Sequence, residues 1–177
     1  MSFREPLAVQ LRRVDRGFAR QLAKLWAVTF QDAYEEVHST ENIRAYCEAN
    51  YSVDAAENLL SDPSVHCAVA FGDRSALGFH LVKHHGCPLP LIGESSELKQ
   101  LYVAARAYGS GVGQALFEDA VRSVQRAGGS WIWLSVSDLN YRARAFYRKL
   151  SFEPLGKGPI FEVGSDRPTS TIMARKI

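Results

Sequence analysis

Residues 101–116 read Leu101-Tyr102-Val103-Ala104-Ala105-Arg106-Ala107-Tyr108-Gly109-Ser110-Gly111-Val112-Gly113-Gln114-Ala115-Leu116. An apolar strand runs into a glycine-rich turn, and a helix follows. Three glycines alternate with single residues at the junction, and without Cβ atoms such a backbone can close around a ligand. The free N–H groups of the helix N-terminus then point at it, and the helix dipole favours an anion. A phosphate or pyrophosphate is the natural occupant, and a ligand-free tight turn is the competing reading. The phosphate is not held by a Walker A loop, because no Gly-Lys is followed by Ser or Thr. The Rossmann spacing fails as well: Gln114 or Leu116 stands where its third glycine is required.

Outward from this turn the chain alternates in period. Upstream, residues 7–13 alternate apolar and polar as a first strand. Asp15 then caps a helix with Phe18, Leu22, Leu25, Trp26, Thr29, Phe30 and Ala33 on one stripe. Ser39 or Thr40 opens a second helix, and Asp54 to Leu60 makes a third, stopped at Asp62-Pro63. Val65 to Phe71 and Ala76 to Lys83 read as strands around a Gly72-Asp73-Arg74 turn. A long loop, His84 to Ser95, precedes a fourth strand from Glu97 to Val103. Downstream, the helix carrying Val112, Leu116, Ala120, Val121 and Val124 ends at Gly128-Gly129. Trp131 to Val136 is a fifth, central strand, and a helix runs from Asn140 to about Leu150. Phe152 to Leu155 and Thr169 to Ala174 close the chain as strands. The order predicts an α/β layer fold, a twisted mixed sheet of about six or seven strands flanked by helices. No repeat or polar linker divides residues 1–177, which reads as a single domain.

Composition sets the class. The 177 residues are 46% hydrophobic and 23% charged, which excludes a disordered chain. Lys and Arg number 21 against 19 Asp and Glu, and a net charge of +2 gives no ground to expect nucleic acid as a partner. The N-terminus lacks a signal-peptide pattern, and no apolar run reaches the ~20 residues that span a bilayer. Cys47, Cys67 and Cys87 form no CxxC pair, so reduced thiols in the cytoplasm are expected. His80, His84 and His85 lack a third ligand at a usual spacing, and no metal is expected.

A second segment gives the turn its meaning. Asn140-Tyr141-Arg142-Ala143-Arg144-Ala145-Phe146-Tyr147-Arg148-Lys149-Leu150-Ser151-Phe152 follows the fifth strand. Asn140 can cap the helix or offer its amide to a ligand. Phe146 and Leu150 share a face, while Tyr147 looks in another direction. Its phenol is a hydrogen-bond donor and a candidate general acid, with core packing as the alternative. Arg142, Arg144, Arg148 and Lys149 make the helix basic.

Together the two segments resemble the GNAT superfamily of acyl-CoA-dependent N-acyltransferases. That pattern is a strand ending in Leu-Tyr-Val, then (Arg/Gln)-x-x-Gly-x-(Gly/Ala), then Asn-x-x-(Ala)-x-x-Phe-Tyr-x-x-x-Gly-Phe about thirty residues on. The match runs from about Glu97 to Phe152, with two departures. Tyr108 stands where Arg or Gln is usual, with Arg106 near enough to supply charge. Ser151 replaces the glycine after the second helix, where a serine in the left-handed conformation costs ~1 kcal/mol.

The resemblance implies acetyl-CoA as cosubstrate and transfer of its acetyl group to a primary amine by direct attack in a ternary complex. A non-catalytic acyl-CoA-binding regulatory module is the alternative. The pantetheine arm would pair with Leu101, Tyr102 and Val103. The pyrophosphate would rest on the amides of Tyr108, Gly109, Ser110, Gly111, Val112 and Gly113. Asn140 and Phe146 would complete the cofactor contacts, and Tyr147 would protonate the departing thiolate. Glu97 is the candidate base, with Glu94 or a water relay as alternatives, because the attacking amine must be neutral. Phe30 and Tyr34, with Trp26 and Tyr46, would wall the acceptor site, with core packing as the alternative. A homodimer is the assembly the family suggests.

Overall fold

The computed structural model describes residues 9–73 and 75–177. Leu7, Ala8 and Arg74, assigned above to the first strand and to a turn, lie outside them. Seven strands form one sheet: β1 (Gln10–Arg13), β2 (Val65–Phe71), β3 (Ala76–Lys83), β4 (Ser95–Val103), β5 (Trp131–Ser137), β6 (Glu153–Lys157) and β7 (Ser170–Lys176). Their spatial order is β1-β2-β3-β4-β5-β7-β6. Five α-helices accompany them: α1 (Ala19–Tyr34), α2 (Thr40–Asn50), α3 (Val53–Ser61), α4 (Val112–Arg126) and α5 (Tyr141–Lys149).

Local chemistry sets the helix ends. Asp15 caps a short 3-10 turn, Arg16–Phe18, that leads into α1 rather than capping α1 itself. Ser39 and Ser52 accept hydrogen bonds from Asn42 N and Ala55 N, and so start α2 and α3. Helix α5 stops where Ser151 takes φ +63, and Phe152 N donates to the Tyr147 carbonyl at 3.0 Å. That bond, with the left-handed residue before it, is a Schellman stop built on serine instead of glycine.

Each face of the sheet has its own core. Leu22, Trp26, Val69, Phe79 and Leu81 join α1 and α3 to one face. Leu98, Phe117, Val124, Ile132 and Leu134 join α4 to the other, with Tyr147 and Phe152 beside them.

Two irregularities in β4 position the site. Pairing with β3 slips by one residue at Lys99, so Leu81 faces Gln100 while Val82 faces Leu98. This bulge brings Glu97 and Gln100, three residues apart, to the α1 side of the sheet. The second is the pairing with β5. It is the one parallel pair among the described strands, and it lasts only from Ser95↔Trp131 to Glu97↔Trp133. Beyond that point Leu98–Val103 and Leu134–Ser137 diverge and leave a wedge in the sheet. Seven residues of β7 hold the far side of β5.

Candidate active site

The wedge opens into two cavities, one on each side of the diverging strands. The first, about 450 Å³, lies between β4, the glycine turn and α5. Gly109 and Gly111 adopt φ +73 and +88, and a Cβ at either would meet open space. Glycine is required there by backbone conformation and not by crowding. Gly111 is the N-cap of α4 and supplies no side-chain cap, and the first helical bond runs from Ala115 N to its carbonyl at 3.0 Å. The amides of Val112, Gly113 and Gln114 therefore have no intrahelical acceptor and converge with the helix dipole on the cavity. Oxygen-rich anions such as pyrophosphate fit this cradle.

The second cavity, about 390 Å³, lies under α1 and α2. Trp26, Tyr34, Tyr46 and Tyr51 line it from the helices, Glu97 and Gln100 from β4, and Phe161 from the β6–β7 connection. Trp26 Nε1 donates to Gln100 Oε1 at 2.7 Å. Glu97 is its one lining carboxylate, and His85 Nε2 lies 2.6 Å from Glu97 Oε2. Burial pushes the phenols of Tyr34, Tyr51 and Tyr102 above their ordinary range, so these walls stay uncharged.

Five residues wall both cavities: Leu101, Tyr102, Asn140, Ala143 and Tyr147. Tyr147 thus stands at their junction. Its ring packs edge-on against Phe146 and Phe152, and burial raises its phenol well above the ordinary value. The hydroxyl stays protonated across the working range and has no hydrogen-bond partner among the described residues. Asn140 Oδ1 accepts from Ala143 N at 3.0 Å, which caps α5, and its Nδ2 is turned toward the Tyr34 phenol, with one N–H left for the junction. A donor-lined channel of this kind suits a thioester that enters from one side and an amine that enters from the other.

Residues 16–152 match the model of the acetyltransferase (GNAT) family. The chain is a GNAT-family acetyltransferase. An uncharacterized N-acetyltransferase of Mycobacterium tuberculosis is 27% identical over 161 residues, 90% of this chain and 97% of that protein. Among solved structures, the PaiA N-acetyltransferase of Thermoplasma acidophilum, in complex with coenzyme A, superposes with a TM-score of 0.79 at 21% identity. The match covers 97% of this chain and 100% of that one. An aminoglycoside 6'-acetyltransferase type Ii superposes at 0.67 and 19% identity, over 94% and 96%. At these identities the structural likeness speaks for the fold.

Within this GNAT fold the structure sorts the residues singled out by sequence. Leu101, Tyr102, Val103, Tyr108, Gly109, Gly111, Gly113, Asn140, Phe146 and Tyr147 all line the glycine-turn cavity. Ser110 and Val112 offer it no side chain: Ser110 Oγ donates to the Ala107 carbonyl, and Val112 is fully buried. Tyr34 and Glu97 line the other cavity, while Glu94 does not.

Two expectations are corrected. Phe30 does not wall the acceptor side; it is buried behind that wall, stacked on Tyr46 at 4.4 Å. Arg106 does not supply charge to the turn, because its guanidinium is spent on Ser75 Oγ and the Ala76 carbonyl. The cation beside Tyr108 is Arg142, whose guanidinium lies 4.2 Å from the ring centroid, and Lys149 joins it at the cavity. The three histidines of the 80–85 segment part company. His84 pairs with Ser96 and His85 with Glu97, so neither accompanies His80. His80 instead meets His66 and Asp119, which sequence spacing had not connected.

Sequence reasoning also missed Gln100, Tyr51 and Phe161. No motif marks them: Gln100 faces the cavity only because of the bulge, and Phe161 is carried there by a connection without regular structure.

Proposed function

We propose that the chain transfers the acetyl group of acetyl-CoA to a primary amine by direct attack, the two substrates bound together on opposite sides of the β4–β5 wedge. The observation that carries this reading is the junction: two cavities meet, and the Tyr147 phenol lines both.

In this reading the amides at the start of α4 hold the pyrophosphate, with Arg142 and Lys149 adding positive charge. Leu101–Val103, no longer paired to β5, offer backbone groups to the pantetheine arm. An N–H of that segment polarises the thioester carbonyl and stabilises the charge that builds on its oxygen. Glu97, on the acceptor side and hydrogen-bonded to His85, takes a proton from the incoming ammonium, directly or through water. Tyr147 gives a proton to the departing sulfur, and Asn140 Nδ2 orients the arm beside it. The three unpaired thiols fit a reducing compartment, so a cytoplasmic location is part of the proposal. No helix among the described residues is long and apolar enough to cross a membrane.

The test is thiol release from acetyl-CoA against a panel of polyamines, amino acids, aminoglycosides and lysine peptides, with Glu97→Gln run in parallel. The expected result is turnover on at least one amine class. In Glu97→Gln, kcat/KM for the amine falls about 10²-fold near neutral pH, and part of the loss is recovered at alkaline pH as the amine deprotonates itself. Acetyl-CoA binding without release across the whole panel would favour a regulatory acyl-CoA-binding module instead.

A further inference from the structure

On the face of the sheet opposite the acceptor cavity, three polar side chains meet beneath α4. His66 of β2 and His80 of β3 stack with ring centroids 5.4 Å apart. Their Nε2 atoms converge on one oxygen of Asp119, on α4: His80 Nε2 lies 2.8 Å and His66 Nε2 3.4 Å from Oδ2. The three ligand atoms all fall within 4.8 Å of one another. We propose that His66, His80 and Asp119 form a binding site for a divalent transition-metal ion, zinc by preference.

The donor set is two imidazoles and a carboxylate, which suits zinc, with copper and nickel as competitors. Ligands at Zn–N and Zn–O distances of about 2.0–2.1 Å on a tetrahedron stand about 3.3–3.4 Å apart, near the 2.8 and 3.4 Å that separate Asp119 Oδ2 from the two Nε2 atoms. Only small side-chain shifts separate the metal-free cluster from a coordinating one.

The surroundings favour the same reading. His80 is fully buried and His66 nearly so, whereas the Asp119 carboxylate reaches solvent and provides an entry path. Arg122 lies 3.4 Å from the other carboxylate oxygen, Oδ1, and so turns Oδ2 toward the histidines. The fourth position, on the open side, is left for water.

With both imidazoles in their Nε2–H tautomers, two donors compete for one Asp119 oxygen, and His80 Nδ1 is buried with no partner. Metal binding through Nε2 moves the remaining proton to Nδ1, which still lacks an acceptor. The carboxylate or carbonyl that usually backs a metal-bound imidazole is therefore missing behind His80, and such losses weaken affinity by roughly 10–100-fold. Affinity in the micromolar range is expected, below that of a fully supported site. The metal would act as a rivet: it joins β2 and β3 to α4, the helix whose first turn presents the amides of the cofactor cavity. It lies away from the Tyr147 junction and takes no part in acetyl transfer.

The experiment uses the tag-free full chain after chelator treatment, titrated with Zn²⁺ and separately with Co²⁺. Expected are one zinc ion per chain and, at hundredfold excess over Kd, a Tm raised by roughly 5–10 °C. The cobalt form shows visible bands of four-coordinate metal without a thiolate charge-transfer band. Both signatures disappear in His66→Gln and in Asp119→Asn, and both persist in Cys47→Ser/Cys87→Ser. Failure of the wild-type chain to bind zinc at tens of micromolar overturns the proposal, and the cluster is then a proton-sharing His–Asp–His contact only. Zinc retained by both folded variants also overturns it, as does a cobalt spectrum with a thiolate band.

Discussion

Replacing Tyr147 by Phe removes one oxygen from the junction and leaves the ring contacts with Phe146 and Phe152 in place. Because the hydroxyl has no protein partner, its loss leaves no orphaned group behind, and stability should change by less than about 0.5 kcal/mol. The effect on rate should be much larger. Without a proton donor the sulfur departs as a thiolate. A thiolate is a fair leaving group, so the loss is set at the low end for an acid catalyst, about 10²-fold in kcat. That corresponds to about 2.7 kcal/mol of transition-state stabilisation, at 1.36 kcal/mol per tenfold. Binding is unaffected in this argument, so Kd for acetyl-CoA should stay within about twofold. The raised phenol pKa adds a second expectation: Tyr147 stays protonated, so the wild-type rate shows no loss on the alkaline side up to about pH 10 from this group. The assay is steady-state thiol release with the best amine of the panel, alongside thermal melts and acetyl-CoA titration. A kcat within twofold of wild type, with the fold intact, would refute the assignment and return Tyr147 to the core. A drop in kcat matched by loss of stability would point to packing instead.

Two other perturbations test the frame around the site. Ser151 is the only non-glycine among the described residues with positive φ, at +63. Ser151→Gly relieves a left-handed serine, and melts should show a gain of roughly 0.5–1 kcal/mol, or about 1–4 °C in Tm, with no change in kcat. Asp138, at the end of β5, accepts from Thr169 Oγ1 at 2.6 Å and Thr171 Oγ1 at 2.7 Å, which ties the β5–α5 turn to β7. These bonds hold its carboxyl below the usual value of 3.8. A carboxylate with a depressed folded pKa stabilises fully above its unfolded pKa and loses that contribution as pH falls through the folded one. Asp138→Ala should therefore cost about 1–2 kcal/mol at pH 7. The gap to wild type should close as denaturation is repeated from pH 4 downward, and a gap independent of pH would count against the ionised hydrogen bonds.

Much of this protein is legible along the chain. The hydrophobic period marks all seven strands and five helices, because each element must present an apolar stripe or face to a core, and that need is written locally. The helix cap at Ser39, the stop at Ser151 and the glycine turn that holds Gly109 and Gly111 are local as well. The amide cradle follows from them, since its donors belong to the backbone of one short segment. Tyr147 and Asn140, on the segment after β5, are singled out by the family resemblance of that segment, and both line the junction of the two cavities.

Contacts between distant segments were decided only in three dimensions. Sequence spacing placed Phe30 and Tyr34 on one stripe, yet only Tyr34 reaches the cavity, because α2 lays Tyr46 over Phe30. Arg106 is near the turn in sequence, but its guanidinium is drawn to the start of β3. Arg142, more than thirty residues from the turn, lies on Tyr108 instead. The bulge at Lys99 turns Gln100 toward Trp26, a choice that depends on pairing with β3. His66 and His80 stand 53 and 39 residues from Asp119, too far for any motif to connect them. By itself the sequence determined which backbone segments form and which of them can hold an anion, because those properties arise within a few residues. Tertiary packing decided which side chains share a cavity, because a side chain's neighbours depend on the register and crossing of elements that close only when the whole sheet is built.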